Sequence, residues 1–381
     1  MNPRGLTMTK IFRYLMLVLA VISLAATSCG SDDERVGVTA GSAAGGSGGP
    51  WTCVDPNTPE PAPGTELVFS WGGGSTLAGI EKHVKPLVEG HLGFEMTVLG
   101  NSSSKTMAQI IGQGGAGDFD IVLTSFGPLT TGRGEDVLST INFDVLPETS
   151  FVPEEFHDPA GEDLALTVTH FAYGLAYNEE TLAERGLPIP ESVEAVLDPI
   201  YADLLGLYLP PFAGAVSQIA IINSVLGGPP DDLTLGIEAL AGLDAAQSIE
   251  NSAQMDAAFA AGDVGMYFSA SATAQTFIDK GLPVGMAYSP AYGSGIYAVI
   301  PKNPRHPGAA CVFVNWLASP EGMEALQEVN GNLPTRREGV VVRPDTIMAK
   351  ASKEEILSYP DLRAGAPSSE ATTEQWNKAR G

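Results

Sequence analysis

Short apolar runs alternate with helical patterns along the first part of this chain, and that alternation restricts the possible folds more than any other feature. Strand-like runs occupy 66–70, 94–99 and 119–123, and the first two are each followed by small residues and then by apolar positions at helical spacing. Strands that alternate with helices in this way form parallel sheets with helices on both faces. The sequence therefore predicts an α/β fold.

The ends of these three strands carry glycine, hydroxyl and amide residues. In parallel α/β sheets, ligands bind beyond the carboxyl ends of the strands, where small residues lead into helix N-termini. Backbone N–H groups and side-chain hydroxyls at such positions can hold a small polar ligand. The candidate contacts from this part of the chain are Trp71, Gly73, Asn101, Ser102, Ser103, Thr124 and Ser125.

The middle of the chain shows the α/β pattern again, with strand-like runs at 167–177, 205–209, 264–268 and 296–300. The loops near these runs add further candidate contacts, of which the aromatic ones would form flat apolar walls. They are Tyr173, Phe212, Gly214, Ser269, Ser271, Tyr292 and Ser294. Taken singly, each serine or threonine is equally typical of a helix N-cap, and each aromatic residue is equally typical of a core.

The first 28 residues have the pattern of a secretory signal peptide. Basic residues precede a short apolar stretch, which ends in small residues directly before Cys29. This ending resembles the lipobox of bacterial lipoproteins, in which the cysteine is acylated, and a chance cysteine after an ordinary signal is the alternative. The sequence predicts export with a lipid anchor at Cys29. A flexible linker is expected over 29–64, because that stretch is rich in glycine, serine and proline.

The charge balance excludes several classes of function. The chain has 20 Lys and Arg against 45 Asp and Glu, a formal net charge of −25, whereas a nucleic-acid binder needs a basic surface. The sequence contains no serine-nucleophile elbow, no zinc-protease motif, no phosphate-binding loop and no Cys/His cluster. It predicts no metal site and no cofactor. A secreted hydrolase, for example one that acts on glycosides, stays open only because many acidic residues are present.

Several short motifs occur in an order that is typical of one transport family. They are Trp71-Gly-Gly-Gly74, Gly117-Asp-Phe-Asp-Ile-Val-Leu-Thr-Ser125, Tyr173-Gly-Leu-Ala-Tyr-Asn178, Ala261-Gly-Asp-Val-Gly-Met-Tyr267 and Phe313-Val-Asn-Trp-Leu-Ala-Ser-Pro-Glu-Gly-Met323. Through them, residues 66–338 resemble the bacterial extracellular solute-binding proteins of ABC importers, in the branch for polyamines, ferric iron and thiamine. The sequence departs from the ferric branch because it lacks an adjacent tyrosine pair. It departs from the polyamine branch because the predicted cleft loops carry no obvious acidic residue.

The resemblance implies a two-lobed type II periplasmic-binding-protein fold, in which each lobe has a mostly parallel sheet flanked by helices and the ligand lies in the cleft between the lobes. Lobe 1 is expected at 65–171 plus 294–328, and lobe 2 at 172–293 plus 329–345. The tail at 346–381 can include a closing helix.

The resemblance also implies a monomer that delivers a small polar solute to an ABC permease in the membrane and catalyses nothing. The sequence leaves the solute open between a polyamine, thiamine, a ferric chelate and a small anion or zwitterion. A structural surface lipoprotein is a further alternative, although it would not need several glycine- and serine-rich strand ends directed at one cleft.

Two cysteines remain besides Cys29. An exported protein meets an oxidising compartment, so Cys53 and Cys311 can form a disulfide, and two buried thiols are the alternative. The resemblance places the helix of Cys311 in the lobe that begins at Glu66. Both cysteines then belong to one lobe, and this favours the disulfide.

Overall fold

The central strands are buried along nearly their whole length because both faces of the sheet are covered. The computed structural model describes residues 48–73, 75–158, 161–336, 338–350, 367 and 369–380. Leu67 and Phe69 of the first strand belong to one hydrophobic core, whereas Val68 belongs to another, since successive side chains point to opposite faces. The predicted signal peptide and Cys29 lie outside the described residues.

The strands of the described residues form one nine-stranded sheet. They are β1 (Glu66–Ser70), β2 (Glu95–Leu99), β3 (Ile121–Thr124), β4 (Leu166–Asn178), β5 (Leu205–Tyr208), β6 (Gln247–Ile249), β7 (Met266–Ala270), β8 (Val284–Val299) and β9 (Leu333–Pro334). Their order is β2-β1-β3-β8-β4-β7-β5-β6, and β9 pairs with β4. β1 is parallel to β2 and β3, and β5 is parallel to β6 and β7. The predicted α/β class, with a mostly parallel group of strands in each half, is confirmed.

Helices cover both faces of this sheet. They are α1 (Ser75–Gly79), α2 (Lys85–Leu87), α3 (Ser103–Gly112), α4 (Phe126–Gly134), α5 (Glu179–Glu184), α6 (Ala213–Val225), α7 (Thr234–Ala241), α8 (Ser252–Ala261), α9 (Ser271–Asp279), α10 (Pro307–Leu317), α11 (Pro320–Asn330) and α12 (Ser369–Ala379). π-helical turns at Ile80–Val84 and Val88–Leu92 continue α1 and α2. Short 3-10 turns lie at Pro50–Thr52, Phe143–Val145, Pro147–Phe151, Glu154–Phe156, Val193–Leu197, Pro199–Leu204 and Ile347–Lys350.

Two long strands, β4 and β8, connect the halves of the sheet. They run antiparallel to each other, so that Leu166 lies opposite Ala298 near β3 and Ala176 lies opposite Met286 near β7. The first pair belongs to the core around β1 and the second to a core around β7. The two parallel groups therefore merge into one sheet, because β4 and β8 serve both.

Hydrophobic residues gather in two sets of cores along these strands. We call "first lobe" the elements packed around β1–β3, whose core includes Phe69 and extends to Phe313 of α10 and Leu326 of α11. We call "second lobe" the elements packed around β5–β7, whose cores include Ile219 and Phe259. α10 and α11 thus return to the first lobe after β8. The residue boundaries predicted for the two lobes stay a prediction.

The structure contains a disulfide between Cys53 and Cys311. The two Cα atoms lie 5.6 Å apart, and both residues are buried in the core around β1. The bond therefore fastens the chain before β1 to α10.

The segment before β1 differs from the flexible linker that its composition predicts. A Cβ atom on Gly308 of α10 would lie 2.8 Å from the carbonyl oxygen of Pro59, so the two backbones are in close contact. The linker prediction over 29–64 therefore does not hold for 48–64, because the disulfide and the contact with α10 position this part. The earlier part, 29–47, lies outside the described residues.

The chain after β9 returns to the second lobe. Trp376 of α12 is 3% exposed and belongs to the core of that lobe. α12 thus packs against the second lobe, and 351–366 lie outside the described residues; a closing role for this helix stays a prediction. Within the part of the chain that the structure describes, every helix is too short or too polar to span a bilayer.

Candidate functional site

The loops that follow β1 and β2 meet at the carboxyl ends of these strands. A Cβ atom on Gly73 would lie 3.4 Å from the carbonyl oxygen of Gly100, and one on Gly100 would lie 3.1 Å from that of Gly72. The structure therefore brings the first two predicted loops together. The predicted contacts in this lobe that are exposed or half-buried are Gly73, Asn101, Ser102, Ser103 and Ser125.

The other predicted contacts of the first lobe are buried in it, and one of the exposed contacts caps a helix. Trp71 is 6% exposed and belongs to the core around β1, and Thr124 is fully buried at the end of β3. Ser102 accepts a hydrogen bond from the backbone N–H of Lys105 at 3.4 Å. It therefore caps α3, which is the ordinary role of a serine at this position.

β4, β7 and β8 bring another group of predicted contacts together. Tyr173 of β4 lies opposite Tyr292 of β8, and Phe171 lies opposite Ser294. Residues that face each other across a sheet project from the same side, so these four form one strip where the lobes join. Tyr292 and Ser294 are buried, whereas Tyr173 is half-buried with its ring centroid 5.4 Å from that of Phe171.

Two predicted serines of the second lobe fix the start of α9. Ser271 accepts a hydrogen bond from the N–H of Ala172 at 3.2 Å, which ties α9 to β4. Ser269 donates to the hydroxyl oxygen of Tyr267 at 3.2 Å. Both serines are buried, and they orient the end of β7.

Phe212 and Gly214 shape the loop after β5. The Phe212 ring packs on Tyr208 with the centroids 4.8 Å apart. A Cβ atom on Gly214 would overlap the Phe212 ring and come within 3.2 Å of Tyr208. A side chain at position 214, in the first turn of α6, would therefore displace the Phe212 ring.

A pocket of about 260 Å³ lies between the two lobes. α1 and the end of α11 line one side of it, and α8 and α9 line the other. Its lining residues are Thr76, Asp256, Ala272, Thr273, Thr276, Phe277, Lys280, Val329 and Asn330. Hydroxyl, amide, carboxylate and ammonium groups thus surround a small space, which suits a small polar molecule.

None of the predicted contacts lines this pocket, although one of them, Ser271, adjoins it in the chain. Ala272 and Thr273 directly follow Ser271. Thr273, Thr276 and Lys280 stand three and then four residues apart, which places them on one face of a helix. That spacing was the available signal for the α9 side of the pocket.

Asp256 is the acidic group of the pocket, and no sequence pattern marks it. α8 is held by the fully buried Met255 and Phe259, and this places Asp256 at the edge of the core. Its Oδ1 accepts a hydrogen bond from the hydroxyl of Tyr267 at 3.1 Å. Burial raises the pKa of Asp256, while the Tyr267 hydrogen bond and the charge of Lys280 lower it by less. A helix thus supplies the acidic group that the predicted cleft loops lack.

Two other pockets belong to the first lobe alone. One of about 970 Å³ is lined by residues between 140 and 163, and one of about 360 Å³ lies beside Cys53. A ligand in either would contact a single lobe. Within the described residues, no group of three or more His, Cys, Asp or Glu is arranged to hold a metal ion.

Two α/β lobes joined by shared strands, with a polar pocket between them, define the class of two-lobed solute-binding proteins. A family model described as bacterial extracellular solute-binding protein matches residues 82–350. The chain belongs to this family, as the motifs in its sequence predicted. It is accordingly a solute-binding component of ABC transporters, and the hydrolase and structural-lipoprotein alternatives receive no support.

Solved structures share this fold at low sequence identity. Iron-bound HitA from Pseudomonas aeruginosa has a TM-score of 0.65 and 17% identity, covering 83% of this chain and 99% of that one. AfuA from Actinobacillus pleuropneumoniae, with fructose-6-phosphate bound, has a TM-score of 0.65 and 18% identity, and the match covers 83% of this chain and 98% of AfuA. The spermidine/putrescine substrate-binding protein PotD from Streptococcus pneumoniae has a TM-score of 0.64 and 16% identity, and the match covers 83% of this chain and 100% of PotD. No curated protein sequence matches this chain significantly. At such identities the likeness shows the fold alone.

Proposed function

We propose that this protein captures a small polar solute in the pocket between α1, α8, α9 and α11 and presents the closed complex to an ABC permease. The observation that carries the proposal is that both lobes line the pocket, with Thr76 from the first and Thr273 from the second. A solute that contacts both lobes favours their closed arrangement by its differential affinity for that state. Closure is then the signal that the permease reads.

The size and lining of the pocket support a small, hydrophilic solute. Its volume of about 260 Å³ lies just below the range of roughly 300–1,000 Å³ that is usual for ligand pockets. The proteins of the similar structures bind iron, a sugar phosphate or, by name, spermidine and putrescine. All of these are small and polar, and the same scale of ligand fits the pocket here.

Calorimetry on a matched pair of threonine variants tests whether the solute binds in this pocket. Thr276 lines the pocket and Thr131 lies on α4 outside it, and each hydroxyl donates to the carbonyl oxygen four residues earlier at 3.1 Å. The solute would first be identified by mass spectrometry of the small molecules released on denaturing the purified protein. Thr276→Val should then weaken its binding roughly two- to tenfold, the loss of one hydrogen bond.

The control Thr131→Val should bind the solute as the wild type does. Equal affinities for both variants and the wild type would mean that the solute binds elsewhere. Because both substitutions remove the same kind of hydrogen bond within a helix, a difference in affinity between the two variants reports on the pocket and not on helix stability.

Export with an acyl anchor at Cys29 is the second part of the proposal. It is supported by the basic and apolar segment before Cys29 and by membership of an extracellular family. Growth of an expressing bacterium with a labelled fatty acid should label the wild type and leave Cys29→Ala unlabelled. An unlabelled wild type, or equal labelling of both, would exclude the anchor.

A further inference from the structure

One carboxylate in the pocket has no cationic partner within the described part of the chain. Asp256 is half-buried and forms no ion pair with any described Lys, Arg or His. Its Oδ1 accepts from the Tyr267 hydroxyl, which in turn accepts from Ser269. This chain of hydrogen bonds fixes the carboxylate, while its Oδ2 accepts no hydrogen bond from a described residue and is available to a ligand.

The titratable groups around Asp256 leave its negative charge in place. Tyr267 of β7 and Tyr208 of β5 face it, and burial raises the pKa of both tyrosines, so both stay neutral at physiological pH. Lys280, which follows α9, is exposed, and its Nζ lies 5.9 Å from the ring centroid of Phe277. Its charge lowers the pKa of Asp256 by less than burial raises it, and Lys280 forms no ion pair with Asp256.

We infer that Asp256 binds an ammonium group of the solute, so that the solute is a small organic amine; this inference rests on the proposed function. An ammonium group would form a charge-assisted hydrogen bond with Oδ2 and would offset the cost of burying the carboxylate. A solute anion at the same place would instead face like-charge repulsion. The chain's net charge of −25 also favours the approach of cations.

The remaining polar groups of the pocket suit the other donors of an amine. The hydroxyl oxygens of Thr76 and Thr273 and the amide oxygen of Asn330 can each accept an N–H bond. They come from both lobes, so an amine held by Asp256 can contact the first lobe as well. Asp256 then determines which charge is accepted, and the neutral groups determine fit.

A set of four-carbon probes isolates the effect of charge. Calorimetry on the purified full chain would compare butane-1,4-diamine, 4-aminobutanoate and butanedioate at about pH 7.5. The two probes that carry an ammonium group should bind, and butanedioate should bind at least tenfold more weakly than the diamine. Butanedioate as the tightest probe, or an absence of amine binding at millimolar concentration, would overturn the inference.

Two variants with the same change of charge test whether Asp256 is the residue that binds the ammonium group. Asp256→Asn keeps an oxygen for the Tyr267 hydrogen bond and should weaken diamine binding at least tenfold. Asp263→Asn, at an exposed position just after α8, should leave the affinity within twofold of the wild type. An unchanged affinity in Asp256→Asn would overturn the inference, and circular dichroism and urea unfolding would show that both variants are folded.

The pH dependence supplies a readout that a purely structural role would not change. Because the pKa of Asp256 is raised, wild-type affinity for the diamine should fall as the pH is lowered from about 7.5 towards 5. The remaining affinity of Asp256→Asn should show no such fall. If a solute without an ammonium group binds and Thr276→Val weakens it, the proposed function stands and the inference fails. If no solute is sensitive to Thr276→Val, the proposed site fails as well.

Discussion

At the level of single residues, the binding role inferred for Asp256 conflicts with the requirements of folding. The burial that raises its pKa means that the folded chain holds a proton at a higher pH than the unfolded chain does. The hydrogen bond from Tyr267 lowers the pKa of Asp256 by less than burial raises it. A residue that costs stability when ionised is typical of a site where a ligand supplies the missing charge.

The same Asp256→Asn variant should therefore be more stable than the wild type when no solute is bound. The wild type loses stability as the pH rises from 3.8, the ordinary pKa of aspartate, through the raised pKa of Asp256, whereas asparagine does not titrate. Urea unfolding at about pH 4 and pH 7.5 should show a stabilising difference that is larger at the higher pH. A difference in the opposite direction would mean that ionised Asp256 stabilises the fold.

At the level of elements, α10 joins the N-terminal segment to the first lobe. The Cys53–Cys311 disulfide links residues 258 positions apart in sequence. Closing so long a loop constrains the unfolded chain by on the order of 5 kcal/mol in the chain-entropy model. The close contact between Gly308 and Pro59 extends this attachment beyond the bond itself.

Loss of the disulfide should destabilise the protein strongly. In urea, the double variant Cys53→Ser, Cys311→Ser should unfold at a clearly lower midpoint than the wild type, because the unfolded chain gains the freedom of the open loop. Thiol titration of the denatured, unreduced wild type should detect at most the thiol of Cys29. Detection of all three thiols would show that the bond does not form.

The elements that follow local rules could be predicted from the sequence, and those that depend on tertiary contacts could not. β1 and β3 are predictable because a strand buried on both faces is mostly apolar. Trp71 lies in the core around β1, and the glycine-rich sequence after it gives no sign of this burial. Asp256 is missed because its position in the pocket depends on how α8 packs against β7. The segment 48–64 has the composition of a linker, and its position is fixed by contacts with α10, which lies far along the chain.

At the level of the whole molecule, several connections join the two lobes. β4 and β8 cross between them, and a segment after β9 also links α11 of the first lobe to α9 of the second. In that segment the N–H of Arg343 donates to Gln327 of α11 at 3.0 Å, and the N–H of Ile347 donates to Gln275 of α9 at 2.7 Å. If the pocket closes around a solute, we expect the lobes to move about these shared strands.

The most direct test of solute capture between the lobes is small-angle X-ray scattering of the protein with and without bound solute. The solute would be the one released from the purified protein or, if none is released, butane-1,4-diamine at saturating concentration. Thr276→Val measured at the same solute concentration would serve as the weakened-binding control. We expect a smaller radius of gyration for the wild type saturated with solute. When both proteins are measured at a solute concentration near the wild-type Kd, we expect a smaller change for the variant than for the wild type. An unchanged radius of gyration, with calorimetry showing that the wild type is saturated, would contradict it.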